Sequence, residues 1–513
     1  MNHNLYLQFY PHFERQPNKV LMDTLNGQRY RYADVLATSR KMASVLLELG
    51  VSPGDRVAVQ VDKSPEIVML YLACLQVGAV YLPLNTAYTD SEIGYFLQDA
   101  EPHLYICRPQ VLTEAKRNAS ASGVAQVESL GTQADGSLMD KVVSAQETET
   151  VCEVGEDELA AILYTSGTTG RSKGAMLSHK NLASNSQALS EAWHYTDQDH
   201  LIHALPIFHT HGLFVACNIT LINGASMTFL PKLDVDELLD LMPHATVLMG
   251  VPTFYTRLLA SERLNREVVA NMRLFISGSA PLLAETHEAF EERTGHAILE
   301  RYGMTETNMN TSNPYDGKRR PGTVGLPLPG VEVRIADRES GKAVAPGETG
   351  MVEMRGPNVF QGYWRMPEKT QAEFRDDGFF ITGDLGLIDE YGYLNIVGRD
   401  KDLVISGGYN VYPKEVEQLI DELPGVVESA VIGVPHADLG EGVVAVVVPD
   451  ASEPVTEAQV LAALKDQLAR YKQPKRVFFA DALPRNVMGK VQKNQLRSTY
   501  TDIFKTQPAT ASA

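Results

Sequence analysis

The strongest constraint on the fold is a rhythm that starts near residue 157. Short apolar runs alternate with amphipathic stretches as far as Tyr302. LAAILY (159–164), LIHAL (201–205), SMTFL (226–230), TVLMG (246–250), RLFIS (273–277) and AILERY (297–302) read as buried strands. Helical stretches near 181–193, 212–221, 235–241 and through Leu259, and another from Leu282, fall between them. Strands alternating with helices make βαβ units, and these build a parallel sheet covered on both faces. Residues 55–110 repeat the pattern with RVAVQV, a helix around 66–76 and AVYLPL. In such doubly wound sheets ligands bind beyond the carboxyl ends of the strands.

The texture changes after Pro314. From about 322 to 399, glycine-rich turns separate short alternating segments, which predicts a small β-rich unit. After Arg399 a compact α+β module follows, with a helix at 414–423, the runs SAVIGV and GVVAVVV, and a helix at 457–468. A domain boundary is expected at Asp400–Lys401, separating 1–399 from 400–513. The 513 residues carry 45 Lys and Arg against 64 Asp and Glu, a net charge of −19. That balance repels a phosphate backbone and argues against nucleic-acid partners. No window approaches about 18 consecutive apolar residues, so no membrane span is expected. Cys74, Cys107, Cys152 and Cys217 are scattered and form no CxxC pair, the pattern of free thiols in a reducing, cytoplasmic setting.

The segment Thr165–Gly174 (TSGTTGRSKG) follows a buried strand and holds three glycines, several hydroxyls and Lys173. Glycines let backbone N–H groups converge on an anion, hydroxyls add donors, and the lysine adds charge. This is a phosphate cradle by composition. It is not a Walker A loop, because Lys173 is followed by Gly174.

With that loop in hand, seven ordered motifs become visible. They are YTSGTTGRSKG, ALPIFHTHG (204–212), ISGSAPL (276–282), ERYGMTET (300–307), ITGDLG (381–386), GRDKDLVISGGYNVYP (398–413) and LPRNVMGKVQKNQLR (483–497). Together they resemble the adenylate-forming superfamily of acyl-CoA synthetases, firefly luciferases and peptide-synthetase adenylation domains, over essentially the whole chain. The resemblance implies a large N-terminal domain, a small mobile C-terminal domain that rotates between two half-reactions, and the use of ATP, Mg²⁺ and coenzyme A.

It also implies site roles. Thr165, Ser166, Gly167, Thr168, Thr169, Gly170 and Lys173 meet the phosphates, and Glu306 with Thr165 holds Mg²⁺. Gly278, Ser279, Ala280 and the run Glu300, Arg301, Tyr302, Gly303, Met304 and Thr305 line the adenine side. Asp384 accepts the ribose hydroxyls, with Arg399 nearby. Lys490 reaches the α-phosphate during adenylation, although by charge alone it is one of several basic residues on its segment. Lys401 is the implied hinge, and Gly407 with Gly408 the implied wall of the thiol tunnel. The resemblance places His209 at the junction of acyl group and thiol, where amino-acid-activating relatives carry an aspartate. His209 and His211, two residues apart with no acidic or cysteine cluster beside them, make a poor metal site.

Two arginines bear on the substrate. Arg301 stands where most acyl-CoA synthetases have a small or neutral residue, and Arg257 lies on a helix that the resemblance places against the acyl pocket. A second carboxylate in an apolar pocket requires a partner, and guanidinium is the best one. The pair points to a short dicarboxylate, malonate or methylmalonate. The alternative is a ligase for acetate or another short monocarboxylate, with the arginines in structural ion pairs such as Arg301 with Glu300.

Overall fold

The computed structural model describes residues 2–165, 172–407, 409–436, 439–465, 467–486 and 489–504. The chain divides into two compact units. The first holds Met1–Pro321, Gly325–Glu332 and Met354–Phe380; the second holds Gly322–Val324, Val333–Glu353 and Ile381–Ala513. The expected boundary at Asp400–Lys401 therefore falls inside the second unit, which also gathers most of the β-rich segment.

The first unit is built on two sheets. In the seven-stranded sheet, Leu159–Thr165, Val80–Pro83, Arg56–Gln60, Leu104–Cys107 and Gln126–Ser129 run parallel as neighbours. In the nine-stranded sheet the parallel series is Leu299–Met304, Leu274–Ser277, Val247–Gly250, His200–His203, Ser226–Phe229 and Val20–Asp23. The strands expected from the apolar runs are all present. Helix Pro65–Val77 is buried along all 13 residues, as a helix apolar on every side must be. Its Tyr71 packs edge-on to Tyr81 of the first sheet and against Phe214 on another side.

Two local features differ from the sequence reading. Residues Lys173–Ser178 form a strand, antiparallel to Leu159–Thr165, with Thr165 opposite Lys173. The hydroxyl-rich loop thus joins two strands of a hairpin. KGAMLS has no β-branched residue to advertise a strand, and its pairing with the preceding strand overrides local propensity. The helix expected near 212–221 is a π-helix over His211–Cys217 followed by an α-helix over Asn218–Ile222.

In the second unit, Glu332–Ala336, Gly350–Arg355, Phe380–Ile388 and Leu394–Arg399 form a four-stranded sheet. A second sheet centres on the antiparallel pair Val426–His436 and Gly440–Pro449, joined by Val404–Ser406, Tyr409–Val411 and Arg476–Phe479. Val431, Val443, Ala445 and Val447 face one core; Ala430, Ile432, Val444 and Val446 face another. Burial on both faces is why these strands read as unbroken valine runs. All four cysteines are free, and burial pushes the Cys107 thiol up to about 11 and Cys217 up to about 12. Among the described residues no helix is long and apolar enough to cross a membrane.

A buried ion pair ties the start of the nine-stranded sheet together. Arg273 donates through Nε to Asp199 Oδ1 and through Nη2 to Oδ2, both at 2.7 Å, while Thr196 N–H and the Thr246 hydroxyl donate to the same carboxylate at 2.8 Å. Burial alone would raise the Asp199 carboxyl, but Arg273 and the other donors hold it below the ordinary range. A depressed carboxyl contributes stability above its unfolded value and loses it as pH falls through the folded value. Asp199→Asn is expected to cost about 2 kcal/mol at pH 7. The gap from the parent should narrow below about pH 4, as urea unfolding at both pH values would measure.

Candidate active site

The site residues of the first unit gather at the carboxyl ends of its parallel strands. Leu274–Ser277 and Leu299–Met304 are neighbours, with Ser277 opposite Glu300, so ISGSAPL and ERYGMTET emerge side by side. Glu300 is buried, and its Oε1 accepts from Leu282 N–H at 3.1 Å, which fastens one motif to the other. Ser279 has φ +70° and Gly278 N–H donates to Gly250 O at 3.3 Å, a tight turn that leaves Ser279 and Ala280 half-buried. Tyr302, Gly303, Met304 and Thr305 are also half-buried. A side chain at Gly303 would collide with Asn308 O, so the glycine is needed for the sharp return into Asn308–Ser312.

Arg301 is 3% exposed. Its guanidinium lies against Gly278, where an added Cβ would stand 2.6 Å from Nε. Among the described residues it makes no ion pair, including with Glu300, and its buried Nε and Nη2 have no hydrogen-bond partner. Burial pulls Arg301 down to about 9, despite the opposing pull of Tyr255 and Glu300. His211, 1% exposed, is pushed well below its ordinary value by burial and then by the Arg301 charge. Its Nδ1 lies 3.3 Å from Ser279 Oγ. A neutral imidazole and a buried cation thus sit beside the half-buried His209. Arg257 is placed differently: helix Pro252–Leu259 buries Phe254, Tyr255 and Leu258, and Arg257 is exposed in its last turn.

At the loop, Thr165 Oγ1 donates to Lys173 O at 3.5 Å. Ser166, Gly167, Thr168, Thr169 and Gly170 lie outside the described residues. Lys173 Nζ donates to Glu373 Oε1 at 3.3 Å and sits 4.0 Å above the Tyr363 ring. The Tyr363 hydroxyl donates to Glu373 Oε2 at 2.7 Å and has Glu306 Oε1 at 3.0 Å. The loop lysine and the acidic candidate for metal binding are therefore linked by three contacts, through Glu373 and Tyr363. Sequence reasoning missed both linkers. Glu373 carries one local signal, its i,i+4 bond from Lys369 at 2.7 Å. Burial alone would raise Glu373, but Lys369, Tyr363 and Lys173 keep it below the ordinary range.

Among the described residues no cluster of three or more His, Cys, Asp or Glu could hold a metal alone. Mg²⁺ does not need one, since it takes one or two carboxylates and fills its octahedron with phosphate oxygens and water. Glu306, 6% exposed, supplies oxygen donors of that kind.

In the second unit Asp384 is 3% exposed and paired in register with Arg399, whose Nε donates to Asp384 Oδ1 at 2.7 Å. Lys401 is exposed in the short 3₁₀ turn Asp400–Asp402. Gly407 has φ +60° between paired Ser406 and Tyr409; Gly408 lies outside the described residues. Lys490 is exposed on a turn closed by Asn486 N–H to Lys490 O at 2.9 Å and Lys490 N–H to Asn486 Oδ1 at 3.0 Å.

Residues 9–364 match the family model of the AMP-binding enzymes, and residues 415–490 that of their C-terminal domain. The chain belongs to the AMP-binding enzymes. This AMP-binding enzyme is 60% identical to MatB from Rhodopseudomonas palustris, solved with ATP bound, with a TM-score of 0.96 over 98% of this chain and 100% of that one. It is 34% identical over 531 residues to the malonate–CoA ligase of Arabidopsis thaliana, covering 92% of this enzyme and 85% of that protein. The mitochondrial malonate–CoA ligase of Mus musculus is 33% identical over 532 residues, covering 95% and 90%.

Proposed function

We propose that the enzyme joins malonate to coenzyme A through a malonyl-adenylate, with release of AMP and pyrophosphate; methylmalonate belongs to the same substrate class. One observation carries the choice of acid: Arg301 is a buried guanidinium that makes no ion pair among the described residues, with Nε and Nη2 unpartnered. A second carboxylate placed there exchanges water for a charged, planar donor.

In the first half-reaction the carboxylate oxygen attacks the α-phosphorus of ATP, a P–O bond forms, and pyrophosphate leaves. In the second, the CoA sulfur attacks the acyl carbon and AMP leaves. Most of the acceleration comes from positioning and charge. Arg301 orients the distal carboxylate, and His209 faces the junction of acyl group and thiol. Thr165, Lys173 and the loop through Gly170 hold phosphate oxygens. Glu306 with Thr165 would hold Mg²⁺, which would supply positive charge to those oxygens. Asp384, acidic and restrained by Arg399, accepts the ribose hydroxyls. Lys490 brings a point charge to the α-phosphate, and Gly407 with Gly408 borders the thiol path. Rotation of 400–513 about Lys401 would bring Lys490 and the glycine loop to the reaction in turn. The four free thiols fit a cytoplasmic enzyme.

The test is carboxylate-dependent AMP release with ATP, Mg²⁺ and CoA across malonate, methylmalonate, succinate, acetate and butyrate. A malonate preference over acetate above about a hundredfold, or about 2.7 kcal/mol, is expected. A preference for acetate or butyrate would overturn the dicarboxylate reading and leave the adenylation chemistry intact.

A further inference from the structure

The π-helix that opens at His211 carries a buried polar cluster that the proposed chemistry does not use. His203, 1% exposed at the end of its strand, has Nε2 2.8 Å from Gly212 O and 3.4 Å from Cys217 Sγ. Lys63 Nζ is 2.9 Å from His203 Nδ1, donates to His203 O at 2.8 Å, and lies 4.3 Å over the Phe229 ring. A carbonyl can only accept, so the proton sits on Nε2. With the proton there, Nδ1 can only accept, and the Lys63 amine, which burial pulls down to about 7, is its donor. Both contacts fit the same neutral tautomer: Gly212 O sets it, and Lys63 holds the ring from the other side. Burial pushes His203 well below its ordinary value, which keeps the ring neutral.

Gly212 and Cys217 are five residues apart, the spacing of π-helical hydrogen bonds. Asn218 N–H to Leu213 O shows the same step one residue on. His203 therefore spans one wide turn from outside. Such turns are rare and need support. Gly212 is also pressed on Pro206, whose carbonyl a Cβ would meet, so the segment between Pro206 and Gly212 has little freedom to shift. That segment presents His209 and His211.

We infer that Lys63 and His203 are positioning residues for the acid substrate: they staple the π-turn and so fix His209 and His211 in the acyl pocket beside Arg301. The inference rests on the malonate reading above for the identity of the acid, but not for its test. Lys63→Met and His203→Leu remove the donor at each end of the staple. Lys63→Arg and His203→Gln keep one, since a glutamine amide N–H can still donate to Gly212 O.

Michaelis constants for malonate and for ATP are measured separately, together with the melting temperature of each variant. Removal of either donor is expected to raise KM for malonate about tenfold and leave KM for ATP within about twofold. Lys63→Arg and His203→Gln should stay within about threefold of the parent for both substrates. Equal rises in both constants, an unchanged KM for the acid, or no rescue by the conservative variants would overturn the staple. Should His203→Leu fail to fold, Lys63→Met against Lys63→Arg decides. If the parent prefers another acid to malonate, the substrate reading fails by itself, and the same split is read on that acid.

Discussion

Lys490→Ala is expected to lower malonate-dependent formation of acyl-adenylate by about 10² to 10³-fold, while transfer from supplied malonyl-AMP to CoA stays within about threefold of the parent. The asymmetry follows from where charge develops. As the carboxylate adds to the α-phosphate, negative charge gathers on the phosphate oxygens and on departing pyrophosphate, so a cation there acts more on the transition state than on the ground state. In the thiol step the acyl C–O bond breaks and new charge forms on the departing AMP oxygen, but under the proposed rotation of 400–513 Lys490 has by then left the phosphate. Lys490 is exposed, on a turn closed by its backbone N–H and C=O to Asn486. Gly489, at φ +76°, takes the conformation that lets so short a turn close. Removing the side chain should leave the melting temperature within about 2 °C. Pyrophosphate exchange and thioester formation from synthetic adenylate, measured on one preparation, separate the steps. Equal loss of both would contradict the role.

What the sequence made legible was the part written in local pattern. The alternation from 157 to 302 specified the parallel strands, and the valine runs near 431 and 444 specified a strand pair buried on both faces. The motifs sit on the sheet, ISGSAPL running off the carboxyl end of Leu274–Ser277 and ERYGMTET running through Leu299–Met304, so the position of the site followed from the fold class. Contacts between segments distant in sequence were not legible. Lys173 meets Glu373 and Glu306 meets Tyr363 across 200 and 57 residues. Lys63 meets His203 across 140. No periodicity encodes those pairs. Nor does residue type separate Arg257 from Arg301. Arg257 lies on a helix outside its apolar stripe, whereas Arg301 lies within a strand and is enclosed under Gly278. Enclosure depends on the missing Cβ at Gly278, and that becomes informative only once the two strands are known to be neighbours.

The enclosure sets the size of the other large effect. Arg301→Met should reduce kcat/KM for malonate by about 10² to 10³-fold, because a carboxylate entering the pocket would lose its water without gaining a donor. Butyrate, which has a methyl-ended chain in place of the second carboxylate, should be used as well as before or better, since methionine fills much of the arginine volume without charge. The ratio of the two acids should therefore fall toward one or invert, with KM for ATP little changed. Gly278→Ala supplies an independent arm. Its methyl would occupy the space of the Arg301 guanidinium, so the arginine must move while keeping its charge. If the fixed fork is what reads malonate, this variant also loses discrimination, by about tenfold or more. If only a diffuse positive field mattered, Gly278→Ala would keep the malonate preference while Arg301→Met lost it. A malonate preference that survives in both would remove Arg301 from substrate recognition and leave the exposed Arg257 as the arginine to test.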